Sequence, residues 1–196
     1  MKNDPVEIPN IQNITVSGRI ATGKTTLSRH IAEKLGWKIL NGGEIFRDLA
    51  KEMGIPLVDT DKRPDQFDKA FEEKVKKILS EEKNYVIQSH LAGFDAQGIY
   101  GVYKILTSCE GIDSEEMTDI RIERVRVREN LSPEEARKEV VDREIQNLEK
   151  FRRLYAGGDN TWVYWDEKYY DLTVDTFTMT EEQALEFVLA HLLAKE

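Results

Sequence analysis

Short apolar runs alternate along this chain with longer stretches in which apolar residues recur every three or four positions, the two periods expected of strands and helices. Ile11 to Ser17 reads as a β-rich strand that ends in glycine. Thr25 to Leu35 follows with Leu27, Ile31 and Leu35 on one helical face, and Gly36 stops it. Trp37 to Leu40 is a second strand, Asn41-Gly42-Gly43 a turn, and Glu44 to Met53 a helix with Ile45, Leu49 and Met53 aligned, ended by Gly54 and Pro56. The polar stretch Thr60 to Asp65 leads into a helix over about Phe67 to Lys83, with Phe67, Phe71, Val75, Ile78 and Leu79 inward. Tyr85 to Gln88, Tyr103 to Ser108 and Leu172 to Asp175 read as three further strands.

Between the last two of these lie charged helical stretches, Asp119 to Glu129 and Ser132 to about Tyr155. Ser132-Pro133-Glu134-Glu135 supplies an N-cap, a proline at the first helical position and acidic residues in the first turn. Ala156-Gly157-Gly158-Asp159-Asn160 closes that helix, and Thr180-Glu181-Glu182-Gln183 opens the last one with a capping-box pattern. Strands that alternate with helices pair in parallel through right-handed crossovers. The expected fold class is α/β, a five-stranded parallel sheet with helices on both faces in three layers.

Composition adds bounds. The chain is 40% apolar, enough for one core, and its 37 acidic against 28 basic residues give a net charge of -9, which disfavours nucleic acid polymers and anionic membranes as partners. Cys109 stands alone, so an intrachain disulfide and a cysteine-built zinc site are both excluded. Met1 to Asn13 lacks the apolar core of a signal peptide, and no run reaches the length of a membrane span. A soluble cytoplasmic protein, monomeric or weakly dimeric, is expected.

Gly18-Arg19-Ile20-Ala21-Thr22-Gly23-Lys24-Thr25 matches G-x-x-x-x-G-K-[ST] between an apolar strand and an amphipathic helix. In that place the backbone N–H groups of Gly18 to Thr26 can turn toward a nucleotide's phosphates, and the helix N-terminus adds partial positive charge. Lys24 reaches the β and γ oxygens, and Thr25 can ligate Mg²⁺. The ligands implied are ATP and Mg²⁺. Such a loop does not choose the acceptor.

Arginine is dense further on, at Arg121, Arg124, Arg126, Arg128, Arg137, Arg143, Arg152 and Arg153. Its planar fork suits phosphate oxygens. Arg121, Arg124 and Arg128 are spaced to share a helical face and Arg126 points elsewhere; a solvated face of Glu–Arg pairs explains the same spacing. Gly42, Gly43 and Arg47 stand where the second strand gives way to its helix, a usual place for a ligand in an open α/β sheet. Asp68 and Glu72 either contact an acceptor or merely favour a helix N-terminus.

Taken in order, the P-loop, Asn41-Gly42-Gly43-Glu44-Ile45-Phe46-Arg47-Asp48-Leu49-Ala50, His90-Leu91-Ala92-Gly93-Phe94, the run Arg121 to Arg128, Glu135-Ala136, Arg143-Glu144 and Tyr170-Asp171-Leu172 resemble the short cytidylate kinases, a branch of the nucleoside monophosphate kinases. The resemblance implies one P-loop kinase domain over residues 1–196, with a core of about 11–60, 84–118 and 161–196, an acceptor-binding helical region of about 61–83 and a lid of about 119–160. It implies that Arg47 holds the acceptor phosphate and that Arg124, Arg128 and Arg143 close over the transferring group. The implied reaction is ATP-dependent phosphorylation of CMP or dCMP. A kinase for another small acceptor, and a nucleotide-binding regulator or weak ATPase, stay open beside it.

The chain departs from the family's pattern at Gln88-Ser89-His90, where an acidic residue and then Gly-Arg are usual. His90, at the position of an acceptor-phosphate arginine, forks less well. Gln88 removes a carboxylate expected near Mg²⁺. A lid position that is usually arginine reads as Lys150. The stretch Asp95 to Tyr100 and the aromatic cluster Trp162, Tyr164, Trp165, Tyr169 and Tyr170 are unusual for the family; core packing or an interface accounts for the aromatics better than base stacking.

Overall fold

The computed structural model describes residues 4–54 and 59–194; Pro56 lies outside them. Five parallel strands are ordered β2-β3-β1-β4-β5: β1 (Asn13–Gly18), β2 (Lys38–Asn41), β3 (Tyr85–Gln88), β4 (Val102–Ser108) and β5 (Leu172–Asp175). All six residues of β1 are buried, as befits a central strand covered on both faces. One apolar cluster joins Ile14, Val16, Val86 and Ile105 to α1 (Lys24–Leu35) and α8 (Glu181–Leu193), and another packs α3 (Asp65–Glu81) on Ile87, Ala92 and Val102. The expected three-layer α/β sheet is therefore present.

The helices begin where the caps direct. Thr180 and Ser132 each form the complete capping box. Asn41 does not sit in a separate turn as expected: its Oδ1 accepts from the Glu44 N–H at 3.3 Å and its Nδ2 donates to Glu44 Oε1 at 2.8 Å. The helix α2 (Gly42–Met53) thus starts at once from the end of β2. Gly54, at φ 64, closes it. Met53 is not inward but 36% exposed; only Gly42 of this helix is fully buried, and Ile45 and Phe46 lean on the α3 cluster.

The expected single helix from Ser132 is interrupted. α5 (Glu115–Glu129) and α6 (Pro133–Arg137) precede a π-helical turn, Lys138–Asp142, which leads into α7 (Arg143–Tyr155). A π turn inserts an extra residue and rotates the helical face beyond it, which here re-aims Arg143 and Glu144. The aromatic cluster is core: Tyr164 is fully buried and packs with Leu91, Phe151 and Trp162, with Trp165 and Tyr169 against them.

α4 (Ala92–Asp95) holds Gly93 beneath the Tyr170 ring. A Cβ on Gly93 would lie 2.3 Å from Tyr170 Cε1, and the ring is held by a 2.5 Å hydrogen bond from its hydroxyl to the Tyr164 carbonyl. This contact joins the Leu-Ala-Gly run to the distant Tyr-Asp-Leu run. Gly93→Ala is expected to cost at least about 1–3 kcal/mol as an overpacking change. Denaturant melts would read it, and an unchanged midpoint would mean that the ring has other room.

Candidate active site

The P-loop leaves β1 at Gly18, with φ 150. A Cβ there would meet the Thr107 carbonyl oxygen and Oγ1 at 2.5 Å, so glycine alone lets the chain depart beside β4. Ala21 and Gly23 take left-handed backbone, at φ 61 and 81; for alanine this is a local strain of the kind that functional loops hold. Gly23 caps α1 with no side-chain bond, which leaves the first N–H groups of the helix for a ligand. The Lys24 ammonium donates to the Arg19 carbonyl at 2.5 Å. It is 7% exposed, and burial, reinforced by the charges of Arg121, Arg143 and Arg128 against the pull of Glu144, lowers its pKa to about 7.

Glu144 fixes this loop. Its Oε1 accepts from Arg19 Nε at 2.9 Å and Nη2 at 2.5 Å, and its Oε2 from the Ile20 N–H at 3.2 Å and Arg121 Nη2 at 2.5 Å. Arg121, 1% exposed, also donates from Nε to the Ile20 carbonyl at 2.8 Å. Arg19 pairs with Asp113 and stacks 4.7 Å from the Trp165 ring centroid. The Arg19 and Arg121 side chains therefore shape the loop from behind.

Three openings meet around the loop. A cleft of about 390 Å³ is lined by Ile20 to Thr26 with Arg47, Gln88, His90, Arg128 and Arg143. A cleft of about 610 Å³ runs from Gly23 and Thr26 past His30 and Arg124 to Thr176, Met179 and the start of α8. A cavity of about 40 Å³ lies on the other side, between Gly42, Gly43, Phe46, Arg63, Asp68, Glu72, Asn147 and Phe151, and shares Gln88, His90 and Arg143 with the first cleft. Arg143 thus stands at the junction; its Nη1 donates to Glu139 at 3.1 Å, while its Nε is buried with no partner. Burial lowers its pKa. Arg47 is exposed and makes no ion pair among the described residues.

Most of the expected site residues converge here, with several differences. Arg124 is not in the cleft of about 390 Å³: its Nη atoms donate to the Ala21 and Thr176 carbonyls at 3.2 and 2.9 Å, and it lies 4.3 Å from the Phe177 ring centroid. Asp68 borders the small cavity, but its carboxylate is taken by Arg63, through Nη2 at 2.6 Å, and by Lys150 at 2.9 Å. Lys150 is no lid cation over phosphate. It is buried, and its Nζ donates to the Thr60 and Arg63 carbonyls at 3.2 and 2.5 Å, tying α7 to the turn before α3. At His90, burial, then the Lys24 and Arg143 charges, push the pKa well below the usual imidazole range. Asp171, at the start of β5, pairs with Lys104 at 2.9 Å, at the sheet end away from the P-loop.

The chemistry of the donor set decides which groups fit. Uncapped amides, a lysine and the cleft arginines suit a triphosphate. No cluster of three or more His, Cys, Asp or Glu side chains capable of holding a metal exists among the described residues. Mg²⁺ needs few protein oxygens when phosphates and water fill its shell, so the Thr25 hydroxyl fits an ion that arrives with the nucleotide. Among the described residues, no helix is long and apolar enough to cross a membrane.

Comparison with known proteins agrees with this geometry. Residues 14–147 match the family described as AAA domain. Cytidylate kinase of Haloarcula marismortui is 32% identical over 167 residues, covering 83% of this chain and 80% of that protein. Cytidylate kinase of Saccharolobus islandicus strain L.S.2.15 is 26% identical over 182 residues, 91% of this chain and 89% of that one. Among solved structures, shikimate kinase from Acinetobacter baumannii in complex with shikimate superposes with a TM-score of 0.54 at 14% identity over 95% of each chain, a likeness of fold. Fold and cleft together define a P-loop phosphotransferase. Within that class, the chain belongs to the cytidylate kinase family.

Proposed function

We propose that the chain transfers the γ-phosphoryl group of ATP to a nucleoside monophosphate, with CMP or dCMP as first acceptor and the diphosphate as product. The observation that carries this reading is the junction itself: a P-loop cleft and a second cavity share Arg143, whose buried Nε lacks a partner. A buried, unpaired guanidinium N–H is costly, and an anion between the two openings would satisfy it.

In this reading the amides of Gly18 to Thr26 and the Lys24 ammonium hold the β and γ phosphates, and the Thr25 hydroxyl would hold a Mg²⁺ that neutralises charge on the phosphate oxygens. Arg143 and Arg128 neutralise the transferring group. Arg124 holds the loop shape beside the nucleoside end of ATP. Gly42, Gly43 and Arg47 receive the acceptor phosphate, with Asp68 fixing Arg63 in the wall around it. Transfer is in line and needs no covalent enzyme intermediate. The cavity of about 40 Å³ admits a base only if the turn Thr60–Lys62 lifts from α7, which breaks the bonds of Thr60 to Asn147 and Gln146 and those of Lys150. Closing again would exclude water from the reacting centre.

ADP formation measured with Mg-ATP and each of CMP, dCMP, UMP, AMP and GMP tests the reading. Strong dependence on CMP or dCMP is expected. The same slow ADP release with every monophosphate, and with none, would instead mark a weak ATPase and sink the proposal.

A further inference from the structure

His90 lines both the phosphate cleft and the small cavity. Its Nδ1 lies 3.0 Å from the Gly18 carbonyl oxygen. A carbonyl only accepts, so Nδ1 carries the hydrogen and the lone pair of the neutral ring is on Nε2. Tyr164 meets the ring at a centroid distance of 5.5 Å and Phe151 at 6.5 Å, and the Tyr164 hydroxyl stands 3.4 Å from the same Nδ1. These contacts hold the ring plane. Nε2 has no partner among the described residues.

The junction therefore presents an unshared lone pair in the cleft that Lys24 and Arg143 also line, where an arginine fork would suit a phosphate acceptor. Gln88 Oε1, in the same wall, is buried and also without a partner. A phosphate dianion brings only acceptors and would meet these atoms lone pair to lone pair. A hydroxyl group is complementary to both. The cavity of about 40 Å³ is too small for a nucleoside, while the hydroxyl end of a smaller acceptor can enter it from the adjoining cleft of about 390 Å³.

We infer that this chain also phosphorylates a hydroxyl of a small polyol or hydroxy acid, with His90 as the general base. The inference rests on the reading of the cleft as an ATP-dependent phosphotransferase and extends its acceptor class from phosphates to alcohols. The alcohol proton passes to Nε2 while the alcohol oxygen bonds to the γ-phosphorus. The bond from that phosphorus to the β–γ bridging oxygen breaks, and ADP leaves with the bridging oxygen and its electron pair. The imidazolium then gives its proton to solvent, which leaves a phosphate monoester, ADP and neutral His90. The triphosphate's charge offsets the Lys24 and Arg143 charges that disfavour the imidazolium in the free protein, and a neutral base does not repel that triphosphate, as a carboxylate would. Arg47 and the free Nε of Arg143 are placed to hold a carboxylate on the acceptor.

The test uses the full chain with Mg-ATP and, separately, glycerol, glycerate, gluconate and CMP, with ³¹P NMR to distinguish a monoester from the anhydride of a nucleoside diphosphate. A monoester from at least one alcohol is expected. His90→Asn can keep an N–H toward the Gly18 carbonyl but has no Nε2; it should lower monoester formation by about 10²–10⁴-fold. The loss should exceed any loss with CMP by about tenfold or more, and melting curves should establish that the variant is folded. His90→Gln, with its amide near the Nε2 position, repeats the comparison if His90→Asn does not fold. Anhydride from CMP with no monoester from any alcohol would overturn the inference, as would equal losses for both acceptors. His90-dependent monoester with no reaction of CMP would support it and sink the monophosphate reading alone.

Discussion

Lys24→Met will lower turnover by about 10²–10³-fold or more, the effect of removing one preorganised donor from a phosphate site, while it raises the melting temperature. The two signs oppose because Lys24 is burdensome to the fold. Lys24 is 7% exposed, and among the described residues its ammonium makes one hydrogen bond, to the Arg19 carbonyl; that carbonyl keeps a second donor, the Thr22 hydroxyl at 2.9 Å. Methionine retains the apolar stem and discards the charge. The pKa falls from 10.5 to about 7 on folding, so between these values the unfolded chain binds the extra proton. Stability then rises with pH from about 7 to about 10. At neutral pH the penalty is at most about 4 kcal/mol, and each kcal/mol recovered is about 2–4 °C for a chain of this size. Melts from pH 6 to pH 10 check the claim: the rise with pH should flatten in the variant. A variant that melts lower than the parent at every pH would show that the ammonium supports the loop in the free protein.

The large features were readable because their causes are local. A P-loop is contiguous, capping boxes span four residues, and strand patterns are short, so the sheet, the cradle and the starts of the last two long helical stretches were all legible. The illegible features join residues far apart. Arg19 and Glu144 are separated by 125 positions, and Lys150 meets Arg63 across 87; nothing in either neighbourhood names the other. Lys150 reads as a lid cation until its buried carbonyl partners are seen. Arg63, Glu144 and Asn147 drew no role of their own, although a signal was present. Val140, Glu144, Asn147 and Phe151 are spaced as one helical face and all are buried; a carboxylate and an amide on an apolar stripe announce a polar hub. His90 illustrates a different gap: its position was apparent, but its tautomer depends on a Gly18 carbonyl brought near by β1 and β3 pairing in parallel.

The stripe leads to the second large effect, since it makes α7 a support of the P-loop. Glu144→Ala will cost roughly 3–5 kcal/mol, the usual loss when one partner of a buried ion pair is removed, because it strands Arg121, 1% exposed, and most of the Arg19 fork. The melting temperature should fall by roughly 10 °C or more, and ATP affinity with it, as the Ile20 N–H loses its acceptor. Glu144→Gln keeps one acceptor oxygen without the charge and should fall between. The double variant Arg121→Met, Glu144→Leu separates stability from shape. Apolar replacement of a buried pair often restores stability, yet neither new side chain can bond the Ile20 N–H or carbonyl, so this protein should melt near the parent and still bind ATP poorly. Thermal melts and a fluorescent-nucleotide titration measure the two quantities separately. If Glu144→Ala melts within about a degree of the parent and binds ATP as tightly, Glu144 is one more partner of surface arginines worth less than about 1 kcal/mol, and the P-loop holds its shape without α7.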